Sequence, residues 1–266
     1  MSVANYTAKD VSTLRQMTGA GMLDCKKALD ETDGDIEKAA QLLREQGKAG
    51  AAKRSDREAS EGAVAAVRSG DAAAVVELRC ETDFVAKSAE FVALADELAA
   101  LVAAKGEDAV SELDDEIDNL RSTLKENISV GRVRRLVAQS GQVVDTYLHQ
   151  QAGRGVNAVG VVLEGGTEEL AHDIAVHIAF AKPAYLSRDD VPADEVAAER
   201  ATLETISRNE GKPEAALGKI VDGRMNGWFK ERVLLDQSYV RDEKQTIAGM
   251  LGSASVVAFA QVVVGA

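Results

Sequence analysis

The stretch CETDFVAKSAEF, Cys80 to Phe91, sets a carboxylate, Asp83, directly beside an aromatic, Phe84, where an apolar run ends. Such a carboxylate can act as an acid, a base or a metal ligand only if a partner group stands within reach. The chain offers three histidines. His172 and His177 lie five apart on one expected helix, about 140° from each other, which spoils joint metal ligation. The pairs Asp114-Asp115 and Asp189-Asp190 lie in polar stretches and read as solvated charge. Cys25 and Cys80 stand in unlike contexts without a C-x-x-C spacing, so two reduced, partly buried thiols are expected. Neither a GxxxxGK[ST] loop nor a GxGxxG after a strand occurs. TGAGM (18–22) reads as a tight turn between helices, where glycine permits positive φ. No GxSxG or comparable nucleophile arrangement is present. No catalytic residue, metal site or cofactor is therefore expected, which points to a binding protein and not an enzyme.

Whatever positions Asp83 and Phe84 must be built with few aromatics. Across 266 residues, 45% are hydrophobic but only 4% aromatic, so the core is expected to consist of Ala, Val, Leu and Ile, as in helices packed on a sheet. The net charge of −13 argues against direct nucleic-acid binding by the molecule as a whole, since tracking phosphates needs a local excess of Lys and Arg. The N-terminus lacks a basic-then-apolar leader and no apolar run approaches the roughly 20 residues that span a bilayer, so a soluble cytoplasmic protein with no membrane contact is expected.

An α+β fold is expected. Residues 7–46 read as three short helices, the first capped by Thr7, the second carrying Met22, Cys25, Ala28 and Leu29, the third capped by Asp35. This N-terminal unit (1–47) is followed by a tether (48–61) with Lys48, Lys53, Arg54 and Arg57. Strands 62–68 and 73–79 flank the turn SGD, a helix runs from about Ser88 to Ala103, and 131–139 has the β-branched content of a third strand. The same order returns in 143–149, 157–163, a helix over 167–180 and a strand over 255–264. Two related β-β-α-β subdomains, 62–140 and 141–266, follow from that repeat. An insertion over 106–128 reads as a solvated helix with a Val110, Leu113, Ile117, Leu120, Leu124 stripe. A second, at about 192–232, reads as an antiparallel coiled-coil hairpin bent at Gly211 and Pro213.

The stretch LRQMTGAGMLDCKKALDETDGDIEKAAQLLRE (14–45), together with ETDFVAK (81–87), VHIAFAKPAYL (176–186) and GKPEAALGKIVDGRM (211–225), resembles the bacterial translation elongation factor Ts family over nearly the whole chain. The resemblance implies a ubiquitin-associated-like N-terminal unit, a two-subdomain core and a coiled-coil hairpin. It implies a guanine-nucleotide exchange factor that binds elongation factor Tu, GDP-bound or nucleotide-free, and speeds GDP release without covalent chemistry. Thr82, Asp83, Phe84 and Val85 match the motif that enters the partner's GTPase domain near its Mg²⁺ site, with Phe84 as a wedge. Arg15, Met22, Leu23 and Lys26 match contacts of the N-terminal unit, Leu23 standing where many relatives have Met. Val159, Gly160 and His177 match positions that meet another domain of the partner. Family members form one-to-one complexes or dimers of such complexes, so homodimerisation within a larger assembly is compatible with the resemblance. Some continue past the last strand into a helical module where this sequence ends in VVVGA, and exchange is expected to survive that difference. The competing expectation is a ubiquitin-associated-like adaptor without exchange activity, which offers no use for an Asp-Phe pair at the end of a strand.

Overall fold

The computed structural model describes the backbone of residues 5–266 and the side chains of all of these but 48, 49 and 52. Three helices come first: α1 (Ala8–Thr18), α2 (Met22–Glu31) and α3 (Ile36–Ala52). Thr7 and Asp10 form a capping box at the start of α1, and Asp35 caps α3 by accepting from the Lys38 N–H, so otherwise orphaned backbone donors are satisfied. Leu14, Cys25, Ala28, Leu29 and Ala39 form the core of this unit. Met22, expected on the inward stripe, is exposed instead because it is the first residue of α2, emerging from the turn. In that turn Gly19 takes φ +66°, whereas Gly21 does not need the left-handed region. Helix α3 continues into the stretch expected as a tether. Its alanines favour the helix, and Gly47 lets it lie close to the later insertion, since a Cβ there would stand 2.4 Å from Ser122 Oγ. The Lys48 side chain lies outside the described residues.

The chain then runs through β1 (Glu61–Ser69), β2 (Ala72–Cys80), α4 (Asp83–Ala86), α5 (Ala89–Lys105), a 3₁₀ segment (Glu107–Leu113), α6 (Asp114–Leu124) and β3 (Ser129–Val137). A second passage gives β4 (Gln142–Gln151), β5 (Arg154–Glu164), α7 (Glu168–Ala181), the helical pair α8 (Ala193–Asn209) and α9 (Glu214–Arg232), then β6 (Ser238–Tyr239), β7 (Asp242–Thr246), α10 (Ile247–Leu251) and β8 (Ser255–Val263). The repeat expected from element order is present in the topology. β1-β2-β3 and β4-β5-β8 are three-stranded antiparallel sheets of the same order, each with its helix following the hairpin.

The two sheets pack face to face. Val64, Val75, Ala158 and Val262 fill one part of the seam, and Ala73, Ala138, Val144 and Val162 another. Outside them, α5 covers Ala63, Ala65, Val76 and Leu78 with Phe91, Leu98 and Val102, while α7 covers Val159, Val161 and Leu163 with Ile174 and Ile178. Both faces of each sheet are thus buried, which is why the central strands read as nearly continuous apolar runs. Small residues at the seam let the sheets approach closely, so a core with few aromatics can still be dense.

Where an unbroken helix was expected over 106–128, the 3₁₀ segment precedes α6, and Asp114, Asp115 and Glu116 occupy the first turn of α6, where a helix dipole favours acidic groups. Its apolar stripe is not solvated: Leu113 and Ile117 join the first core, with Val110, Leu120 and Leu124 against it. The elements β6, β7 and α10 were not legible, because DEKQT in β7 is exposed throughout and carries no alternation.

The helical pair forms an arm. Gly211 has φ +74° at its bend, and Val196, Leu203, Val221, Met225, Trp228 and Phe229 pack between the helices or at their base. Arg200–Asp222 and Arg224–Glu210 pairs link the two helices, and Arg188 and Arg232 stack on Phe229 and Trp228. Gly218, Gly223 and Gly227 of α9 face open space, where an added Cβ would meet nothing within 4 Å. Each is expected to stabilise the protein by about 0.5–1 kcal/mol when replaced by alanine, because glycine costs that much in a helix interior. Chemical denaturation of the three single variants checks this; an unchanged or lowered midpoint would mean that the helix ends before these positions. No helix among the described residues is long and apolar enough to cross a membrane.

Candidate partner-docking site

Strand β2 ends at Cys80, and Thr82 starts the single turn α4 by accepting from the Val85 N–H. The segment between that strand and the next helix is therefore helical for four residues. Val85 packs against the first core and Ala86 is buried within it. With those two facing inward, Phe84 is forced out and is 83% exposed. A large aromatic held in solvent is the reverse of ordinary burial and marks a contact surface more than a fold element.

The turn is pinned from a distance in sequence. Glu126, in the loop after α6, accepts from the N–H groups of Glu81 and Thr82 at 3.0 Å each and from the Thr82 hydroxyl at 2.5 Å. Glu81 returns the contact by accepting from the Asn127 N–H at 2.7 Å. The Asn127 side-chain amide donates to the carbonyls of Ser55 and Arg57 in the segment leading from α3. Asp83 pairs with Lys87 one turn on. The hydrogen bond and charge of Lys87, with Arg154 further off, hold the Asp83 carboxyl below the usual aspartate range despite some desolvation. Burial pushes the nearby Cys80 thiol up to about 12, so it is inert at neutral pH.

The N-terminal residues singled out by resemblance, Arg15, Met22, Leu23 and Lys26, are all exposed, Met22 at 62% and Leu23 at 73%. Met17, not singled out, is exposed at the same α1–α2 junction. This unit is tethered to α6 by polar contacts, Arg44–Asp115, Lys125–Asp24 and Arg54 to the Arg121 carbonyl, around a cleft of about 830 Å³.

The second-subdomain candidates are placed differently. Val159 lies under α7, and Gly160 faces the seam, where a Cβ would stand 3.2 Å from Leu136 Cδ1. His177 is 0% exposed. These three sit inside the β5–α7 layer and can shape the surface above it but do not present side chains at it; β5 and α7 are buried on the faces that carry them. The exposed aromatic of that helix is Phe180, which lies within the matching stretch 176–186 but is not among the contacts expected from the resemblance. Glu126 and Asn127 carry no sequence signal, because a polar pair after a helix looks like any loop.

The Gln237 side-chain amide donates to the Glu231 carbonyl, which turns its oxygen to accept from His177 Nε2–H at 2.9 Å. Nδ1 is then an unprotonated, buried atom without a partner among the described residues. Burial lowers the His177 pKa, outweighing the Gln237 bond that raises it. Below about pH 6.5 the unfolded chain takes up a proton that the folded imidazole refuses, so stability falls with pH until the folded ring also protonates. The wild type is expected to lose more stability between pH 7.5 and pH 5.5 than His177→Gln, as read by urea denaturation. Equal losses would show that the ring is solvated or protonated in the fold.

A family model described as Elongation factor TS matches residues 81–266. The Elongation factor Ts of Clavibacter michiganensis subsp. michiganensis (strain NCPPB 382) is 48% identical over 278 residues, covering 99% of this chain and 100% of the relative. That of Renibacterium salmoninarum is 47% identical over 281 residues, 99% of this chain and 100% of the relative. That of Mycobacterium ulcerans (strain Agy99) is 48% identical over 262 residues, 96% of this chain and 95% of the relative. With the three-helix unit, the doubled β-β-α-β core and the arm, the chain belongs to the elongation factor Ts family.

Proposed function

We propose that this chain is a guanine-nucleotide exchange factor for elongation factor Tu in translation elongation, acting by contact and not by covalent catalysis. The observation that carries this reading is Phe84, 83% exposed on a turn whose Val85 and Ala86 pack inward and whose Thr82 is pinned by Glu126. A rigid aromatic brings a large contact area with few rotors to immobilise. It enters the partner's GTPase domain near the helices that support the Mg²⁺ site, where the nucleotide-free arrangement accommodates it and the GDP-bound one does not. Asp83, with its charge retained well below neutral pH by Lys87, adds a carboxylate beside that wedge. Arg15, Met22, Leu23 and Lys26 supply a second contact to the same domain. The layer containing Val159, Gly160 and His177 supports a third, through the surface above it. The complex is read as one-to-one or a dimer of such units, in the cytoplasm.

Binding and nucleotide affinity are linked: a partner that favours the empty state weakens GDP binding by the factor that GDP weakens its own. Typical couplings of about 1–3 kcal/mol give 5–150-fold, so contacts from the wedge and the N-terminal unit are needed together. The test is release of fluorescent GDP from elongation factor Tu. The full chain is expected to accelerate it in a concentration-dependent, saturating manner. A release rate that stays at the spontaneous value at all concentrations would remove the exchange reading. An adaptor that merely binds would give that second result.

A further inference from the structure

We infer that Glu126 is a positioning residue for the exchange turn, an inference that rests on the reading of Phe84 as the wedge. A four-residue helix cannot hold itself, because nucleating a first turn fixes several dihedrals for one hydrogen bond. Here the two N–H groups immediately before the turn, those of Glu81 and Thr82, both end on one Glu126 oxygen, and the capping hydroxyl of Thr82 ends on the other. A single carboxylate thus satisfies three donors and fixes the cap from which Phe84 projects. Charge-assisted bonds of this kind are roughly twice as strong as neutral ones.

The contact is reciprocal. The Glu81 carboxylate accepts from the Asn127 N–H and meets Arg57, and Asn127 holds the Ser55 and Arg57 carbonyls. Two adjacent residues, Glu126 and Asn127, therefore join the wedge turn to the segment that carries the N-terminal unit. Loss of the Glu126 carboxylate leaves the first core intact, since Val85, Ala86 and Ile128 are held by apolar packing. What it releases is the orientation of Phe84, and a misplacement of about 1 Å is enough to cost up to 100-fold in a positioned site.

The test compares wild type, Glu126→Ala and Glu126→Gln as full chains, by amide hydrogen exchange on the chain alone and by GDP release from elongation factor Tu. Glu126→Ala is expected to lose protection at residues 81–86 while the strands keep theirs. Its release rate at saturation is expected to fall about tenfold or more, with the half-saturating concentration changing less than the rate. Glu126→Gln, whose amide oxygen still accepts from both backbone N–H groups, is expected to recover most of both. Unchanged protection and rate in Glu126→Ala would overturn the inference. So would loss of protection throughout the first sheet, or a Glu126→Gln variant as slow as Glu126→Ala. Acceleration by wild type is scored separately, so failure of the exchange reading itself shows in the wild-type trace and is not confused with failure of the positioning role.

Discussion

Phe84→Ala is expected to cut GDP release from elongation factor Tu by about 30-fold or more while leaving the fold unchanged. The magnitude follows from hot-spot energetics, in which truncating a central aromatic anchor costs about 2 kcal/mol or more, and 1.4 kcal/mol is tenfold. The unchanged fold follows from its position. At 83% exposure Phe84 contributes little to the core, so the unfolding free energy is expected to change by no more than about 0.5 kcal/mol, as read by thermal and chemical denaturation. Phe84→Leu, keeping apolar area but losing the flat ring, is expected to fall between the two. A variant that unfolds earlier and loses activity in proportion would place Phe84 in the core. A stable variant with a wild-type rate would move the wedge elsewhere, the exposed Phe180 and Met22 being the next candidates to examine.

Gly155→Ala is expected to have the largest effect on stability of any single methyl addition in the core. Gly155 lies at the start of β5 where it crosses β1, and a Cβ built on it would stand 2.1 Å from the Val64 carbonyl oxygen and 2.7 Å from Leu148 Cδ1. The obstacle is backbone and cannot swing aside as a long side chain would. Beside it, Arg154 donates to the Gly62 carbonyl and pairs with Glu61, so the two strands are bound to each other at this crossing. Separating them opens the seam formed by Val64, Val75, Ala158 and Val262. Overpacking costs about 1–3 kcal/mol, and an obstacle made of backbone puts this case at the upper end, which for a chain of this size lowers Tm by about 6–12 °C. The paired comparison is Gly227→Ala, where the added methyl meets nothing and a gain is expected. Calorimetry of both checks the contrast; similar Tm values for the two would mean that β1 and β5 separate freely.

Much of the fold was legible because its elements announce themselves locally. Thr7, Asp35 and Ser88 each cap a helix where a capping residue precedes an apolar period, and the SGD turn stands between two runs that become β1 and β2. The bend of the arm at Gly211 and Pro213 was likewise written in residues with restricted backbone choices. What was not legible depends on three-dimensional neighbours. Family resemblance sets Phe84 apart, but residue type alone does not distinguish it, exposed as it is, from Phe91, which is fully buried seven residues later; their difference arises from the cap at Thr82 and the inward Val85 and Ala86. Glu126 becomes meaningful only when the chain returns to Glu81 across 45 residues. His177 and Val159 could be matched to a family pattern, but their burial follows from α7 lying on β5, which no local signal specifies.

The central claim, that this chain weakens nucleotide binding by stabilising the empty partner, is tested most directly by equilibrium affinity and not by rate. The dissociation constant of GDP for elongation factor Tu is measured with and without saturating chain, alongside the affinity of the chain for GDP-bound and nucleotide-free partner. The expected result is that both affinities fall by one common factor, as linkage requires, and that Phe84→Ala reduces that factor. An unchanged GDP dissociation constant in the presence of bound chain would contradict it.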